Sequence, residues 1–380
     1  MLRVLFHLLL IWSTEVYTGH NQPNLNTKGE KNDETWMMEM QDVAQLSWEY
    51  LQDMQFWSWQ EESTEEKKMH TDWSLSDLGW NSLQLISDWY KKVTVSRHQA
   101  YAGITNNITG LQEELGSRMH GQHLAAKLIV TSLERFLQDE KSQKSLVMSF
   151  HGWTGTGKNL AVRIIAENLY KDGQRNQCIR VFIPQLHFPH VSHLEAYKIQ
   201  LQKHLEEVAA RCPQPLFVFD EADKLHLPLF TSLLTFMNKD GAQHSRNIFI
   251  FLSSDGGSII NEVTLNFWRA GRQREEITLN DLDRPLKVAL KENQGDKLVS
   301  HLLTEGVINE LVPFLPLERA HVKLCAQDFF VTRGLPYKET ILEDVIKDLQ
   351  FVPKNERVFS ATGCKVIAQR VQFYQAGHST

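Results

Sequence analysis

The chain has 380 residues, 42% hydrophobic and 23% charged, which excludes a disordered or fibrous chain and suits one or two globular domains. Its formal net charge is −6, so no broad basic field points to nucleic acid.

The first residues, MLRVLFHLLLIWSTEVYTG, carry Arg3, an apolar run from Val4 to Trp12, then small and polar residues. Residues 1–19 therefore have the form of a secretory signal peptide. The run is shorter than the roughly 20 apolar residues that a spanning helix needs. A buried N-terminal helix is the alternative, and it would need an amphipathic period that this run lacks. Residues 20–97 form a separate polar and Trp-rich region. Within it Val43, Leu46, Tyr50, Met54 and Trp57 recur at spacings of three and four, which predicts an amphipathic helix. That helix would pack on its own protein, a partner or a membrane surface. Glu49 and Asp53 on its polar face argue against anionic lipid. In a secretory compartment the sequon at Asn107 becomes a glycan acceptor.

From about Tyr101 the pattern becomes regular. A helix, a break at Gly121 and a second helix with Leu124, Leu128 and Leu133 facing inward come first. Short apolar runs follow at 146–151, 179–183, 215–220 and 248–252, with a weaker one, EEITL, at 275–279. Continuous apolar strands between helical patterns predict a parallel sheet covered on both faces. The last 70 or so residues are helical. The expected organisation is a large α/β nucleotide-binding domain over 98–310 and a small α-helical domain over 311–380.

The stretch HGWTGTGKN places Gly152, Trp153, Thr154, Gly155, Thr156, Gly157, Lys158 and Asn159 between an apolar strand and a helix. That is the context a phosphate-binding loop requires. Its glycines let backbone N–H groups cradle phosphate oxygens, and the helix start favours an anion. Lys158 supplies a positive charge for the β- and γ-phosphates. The usual Ser or Thr after the lysine is replaced by Asn159. About 60 residues on, PLFVFDEADKLH ends an apolar strand in two carboxylates. Asp220 would hold Mg²⁺, largely through water. Glu221 would orient and polarise the attacking water. A strand ending in a helix cap is the bland alternative, and the upstream loop weighs against it.

HGWTGTGKN, LHFPH, FVFDEADKLH, NFWRAGRQREEI, VPFLPLERAHVKLC and RVFSATGCK together resemble the torsins. These are AAA+ ATPases of the endoplasmic reticulum and nuclear envelope lumen, related to Clp-type unfoldases. The resemblance spans roughly residues 101–375, and the Trp-rich region points to the third paralogue. It implies ATP and Mg²⁺ as ligands, and Asn159 becomes a family trait that can still face Mg²⁺ or its waters. It places Ser254, in FLSSDG, where torsins usually carry a γ-phosphate-sensing Asn, with Asp255 beside it. Slow or altered hydrolysis is one expectation from that change. Lys365 matches the small-domain nucleotide sensor. Of the four cysteines, Cys325 and Cys364 would form a disulfide, as a redox regulator or as a plain staple.

The resemblance also implies activator partners. They would be the luminal domains of type II membrane proteins such as lamina-associated polypeptide 1, which supply the arginine the family lacks. Homo- or hetero-oligomers and a protein client fit as well. No aromatic-hydrophobic-Gly pore loop is present, and Phe188 reads as packing. Arg269, Arg272 and Arg274 read as surface or interface charges. The rival functions are a weakly hydrolysing, nucleotide-gated binding protein and a luminal redox sensor.

Overall fold

The computed structural model describes residues 103–139, 144–237, 246–292 and 298–377. The expected signal peptide and the Trp-rich region with its amphipathic helix lie outside these residues. Among the described residues no helix is long and apolar enough to cross a membrane.

Helix α1 (Ile108–Arg118) and helix α2 (His123–Gln138) flank Gly121, whose φ of 68° breaks the helical run. Then come β1 (Leu146–Gly152), α3 (Lys158–Leu169), β2 (Ile179–Phe182) and the short α4 (Pro184–His187). Next are α5 (Leu194–Arg211), β3 (Leu216–Phe219), α6 (Leu227–Met237), β4 (Ile248–Ser253) and α7 (Gly257–Arg269). Helices α8 (Leu279–Glu292) and α9 (Leu298–Thr304) lead to β5 (Glu310–Phe314). The remainder holds α10 (Arg319–Thr332), α11 (Glu339–Lys347), the β6–β7 ribbon (Phe351–Val352 and Phe359–Ser360) and α12 (Ile367–Gly377).

Strands β1 to β5 form a parallel sheet in the order β2-β3-β4-β1-β5. Alternate residues of each strand serve opposite faces. Met148, Phe150, Val218, Ile250 and Leu252 join α1, α2 and α3 in one core, while Val147, Phe217, Phe219, Phe249 and Phe251 join α5 and α6 in the other. On the second face Phe182, Phe219 and Phe251 stack at 5.0 and 5.2 Å between ring centroids. Burying one such ring contributes roughly 2–3 kcal/mol. Phe188 extends this stack and is 2% exposed, so it packs as expected.

Three expectations are corrected. Residues 275–279 are not a strand: a 3₁₀ turn covers 274–276, and α8 starts at Leu279. Cap chemistry outweighs the apolar pair there. Glu276 and Gln273 form a reciprocal capping box, and Asp281 accepts from the Thr278 amide. The domain boundary also moves. Strand β5 pairs with β1 from Glu310 to Phe314, so the helical subdomain begins after the sheet rather than at 311. Finally, Arg274 is no surface charge. It is 8% exposed and donates to the carbonyls of Gly121 and Pro316 and to Glu318. Burial pulls it down to about 10, so it remains a cation at neutral pH. It ties the α1–α2 turn to the segment that enters the helical subdomain. Arg269 and Arg272 do lie exposed, paired with Glu356 at 2.6 Å and Glu276 at 3.0 Å.

The helical subdomain closes on its own core of Val322, Ala326, Phe330, Leu342, Ile346, Ile367 and Val371. The Cys325–Cys364 disulfide staples it. A second disulfide, Cys178–Cys212, joins the start of β2 to the end of α5.

Candidate nucleotide site

The sheet order reverses around β1, which is flanked by β4 and β5. Ligands of open α/β sheets bind at the carboxyl ends of the strands beside such a point. The Gly-rich loop leaves β1 there. Gly155 has φ 67° and Gly157 φ 106°, conformations that disfavour a side chain. Helix α3 begins at Lys158 with Gly157 as its cap and no side-chain cap bond, so its first amides stay available to an anion.

Lys158 Nζ donates to the carbonyls of Gly152 and Trp153, at 2.7 and 2.9 Å. Burial draws its pKa down to about 8, against the raising influence of Asp220 and Asp223. Asn159 Nδ2 donates to Asp220 Oδ2 at 2.8 Å, so the two expected metal-facing residues meet. Burial raises the Asp220 pKa, opposed by the bonds from Asn159 and the Glu221 amide. Glu221 has φ 53° and ψ 44°, a left-handed backbone that costs of order 1–2 kcal/mol outside glycine. Its carboxyl is raised by burial and by the charges of Asp220 and Asp223. Strained backbone and a raised carboxylate at a strand end are marks of a functional group.

These residues fit a Mg²⁺-nucleotide. The glycine cradle, a buried lysine and the free helix start suit phosphate. The oxygen donors of Asp220 and Asn159 suit a hard cation. Ser254 lies exposed on the loop after β4, its amide 3.4 Å from Asp223 Oδ1. Lys365 is exposed, and its charge acts on Glu221.

Sequence inspection missed two contacts. Gln122 is 2% exposed; it donates to the carbonyls of Thr156 and Leu315 and accepts from the Leu315 amide. It thereby fastens the loop to the end of β5. The loop also touches the helical subdomain directly: the Cys364 amide donates to Gly155 O at 3.0 Å, and Trp153 Nε1 donates to Ala361 O at 2.8 Å. Asn107 stands apart. It caps α1, its Oδ1 accepts from the Gly110 amide, and its own amide bonds Asn168 O near the far end of α3.

Residues 96–219 match the family model described as Torsin, and residues 317–374 match the one described as Torsin-1A, C-terminal domain. Torsin-3A of Rattus norvegicus is 42% identical over 305 residues, covering 79% of this chain and 77% of that protein. Torsin-3A of Homo sapiens is 39% identical over 325 residues, covering 83% and 82%. Among solved structures the S. cerevisiae Hsp104-ADP complex aligns with a TM-score of 0.50 and 14% identity, over 77% of this chain. The chain spans half the length of that solved chain, and the likeness speaks for the fold alone.

Proposed function

The chain belongs to the torsin family, in its third paralogous branch, and on that premise we propose that it hydrolyses ATP with Mg²⁺ to remodel protein or membrane complexes in the lumen of the endoplasmic reticulum and nuclear envelope. The observation that carries the reading is the convergence of Lys158, Asn159, Asp220 and Glu221 at the carboxyl ends of β1 and β3, on either side of β4.

In this mechanism the loop amides and Lys158 hold the triphosphate, and Gln122 keeps the loop in place. Asp220 and Asn159 would hold Mg²⁺, which when bound offsets charge on the phosphates. Glu221 orients the attacking water, and its raised pKa suits it to draw a proton from that water. Ser254 would sense the γ-phosphate, and Lys365 would carry the nucleotide state to the helical subdomain.

The proposed activator is the luminal domain of a type II membrane protein of the lamina-associated polypeptide 1 type, contributing an arginine. Supporting this, Arg274 is consumed by the fold, which leaves only Arg269 and Arg272 of the three exposed. The test is ATP turnover of the purified chain with and without that luminal domain. Addition should raise turnover by about 10³- to 10⁵-fold, the usual contribution of an arginine finger. Strong turnover of the chain alone, abolished by Arg269→Ala or Arg272→Ala, would point instead to a self-sufficient ring.

Two observations favour a second reading, a nucleotide-gated binding protein with weak hydrolysis. Serine replaces the usual amide at Ser254, and Asn159 spends its amide on Asp220. Single-turnover hydrolysis in the presence of the activator separates the two readings.

A further inference from the structure

His151 lies one residue before the Gly-rich loop and is fully buried. Burial pushes it down to about 4, so the ring is neutral near pH 7. Its two nitrogens are both engaged. Nδ1 lies 2.9 Å from the carbonyl of Asp255, and Nε2 lies 2.8 Å from Ser149 Oγ. A carbonyl can only accept, so Nδ1 must carry the proton. Nε2 is then the acceptor, and the Ser149 hydroxyl donates to it. The network is satisfied in one tautomer and in one ring orientation.

Asp255 follows Ser254 on the loop after β4. His151 and Ser253 are paired in register between β1 and β4, so the imidazole reaches past the end of the ladder to hold the loop that leaves it. Other contacts press that loop onto the phosphate loop. A Cβ on Gly257 would lie 3.0 Å from the Trp153 amide nitrogen and 3.1 Å from the Gly152 carbonyl carbon. The Asp255 amide in turn bonds Ser253 Oγ at 3.0 Å. The loop carrying Ser254 is thus set by the same strand end that launches the phosphate loop.

We propose that His151 is a positioning residue for hydrolysis: by holding the Asp255 carbonyl it fixes Ser254 relative to the phosphate loop. The inference rests on the ATPase reading. It gives this chain a means to use serine, whose reach is short, at a position where a longer amide would tolerate more play. Ser149 completes the device by orienting the ring.

The test compares His151→Asn, whose amide can place a donor near the Nδ1 position, with His151→Gln and His151→Leu. Turnover with the activator domain, ATP affinity and hydrogen exchange of the 254–257 amides are measured together. His151→Leu and His151→Gln should lower kcat on the order of ten- to a hundredfold, the scale of a misplacement near 1 Å. ATP affinity should change less than about threefold, the scatter of changes that do not couple to the binding site, and the 254–257 amides should exchange faster. His151→Asn should restore kcat and slow exchange. If His151→Leu fails to fold, the Asn and Gln pair carries the comparison. Wild-type kcat in the Gln variant overturns the inference alone, as does parallel loss of affinity and kcat with no rescue by Asn. A wild-type chain with no ATP turnover sinks the ATPase reading, and the inference with it.

Discussion

Gly155 of the phosphate loop and Gly363 of the helical subdomain touch backbone to backbone: a Cβ on Gly363 would sit 2.2 Å from Gly155 O, and one on Gly155 would sit 2.0 Å from Thr362 O. Neither position has room for a side chain, and both have positive φ. The contact joins the residues that would cradle phosphate to the segment Gly363-Cys364-Lys365.

Gly363→Ala should therefore pry the two apart. The expected result is a fall in ATP affinity of about fivefold or more, the lower range of couplings between distinct sites. A loss of stability of about 1–2 kcal/mol from the left-handed backbone should accompany it. Calorimetric titration and thermal unfolding check both. Unchanged affinity would mean that the contact transmits nothing.

The state of Lys158 gives a pH dependence with a defined sign. Burial lowers it from 10.5 to about 8. Between those values the unfolded chain binds the extra proton and the folded chain does not, so folding stability rises with pH across that window. Phosphate binding favours the protonated amine, so ATP binding near pH 8.5 should take up protons, by roughly the fraction that Lys158 has lost. Titration calorimetry in buffers of different ionisation enthalpy measures this uptake. Lys158→Met should abolish it; persistence would assign the proton elsewhere.

The two disulfides should behave differently. Cys178–Cys212 spans a sequence separation of 34 inside the sheet domain. Replacing both by Ser should cost about 3–4 kcal/mol, by the loop-closure relation, and leave ATP affinity intact. Replacing Cys325 and Cys364 should change ATP affinity as well, because the Cys364 amide holds Gly155 O. Equal effects of the two pairs on affinity would argue against a special role for the second. ATPase activity retained after Cys364→Ser would count against a redox sensor as the main function.

The compartment is tested at Asn107. Its side chain caps an exposed helix start, away from the nucleotide site. Glycosidase should shift the mobility of the expressed chain, and Asn107→Gln should remove the shift without altering ATP turnover. A cytosolic, unglycosylated product would overturn the luminal assignment.

The sheet was legible because its central strands are buried on both faces and read as mainly apolar runs, LVMSFH and IFIFL above all. Lys158, Asp220 and Glu221 were legible because loop, strand and helix lie next to one another in sequence. What escaped depended on long-range contact. Gln122 meets Leu315 across 193 residues, and nothing near GQH announces it. Arg274 sits in the same polar string as Arg269 and Arg272, yet folding buries it among carbonyls. EEITL has the residue types of a weak strand, but Gln273 and Asp281 turn it into caps. Four cysteines allow three pairings, and the resemblance supplied only one bond, Cys325–Cys364. The Cys178–Cys212 bond needed β2 and α5 to be placed.

In the proposed mechanism Glu221 drives hydrolysis at a site that binds ATP without it. The most direct test is single-turnover formation of ADP by the wild-type and Glu221→Gln chains, each saturated with Mg²⁺-ATP and the activator luminal domain. The variant should bind ATP as tightly as wild type, hold the activator in a stable complex, and lose turnover by about 10²-fold or more, the lower end for loss of a general base. ADP formation at the wild-type rate in the Glu221→Gln chain would contradict that mechanism.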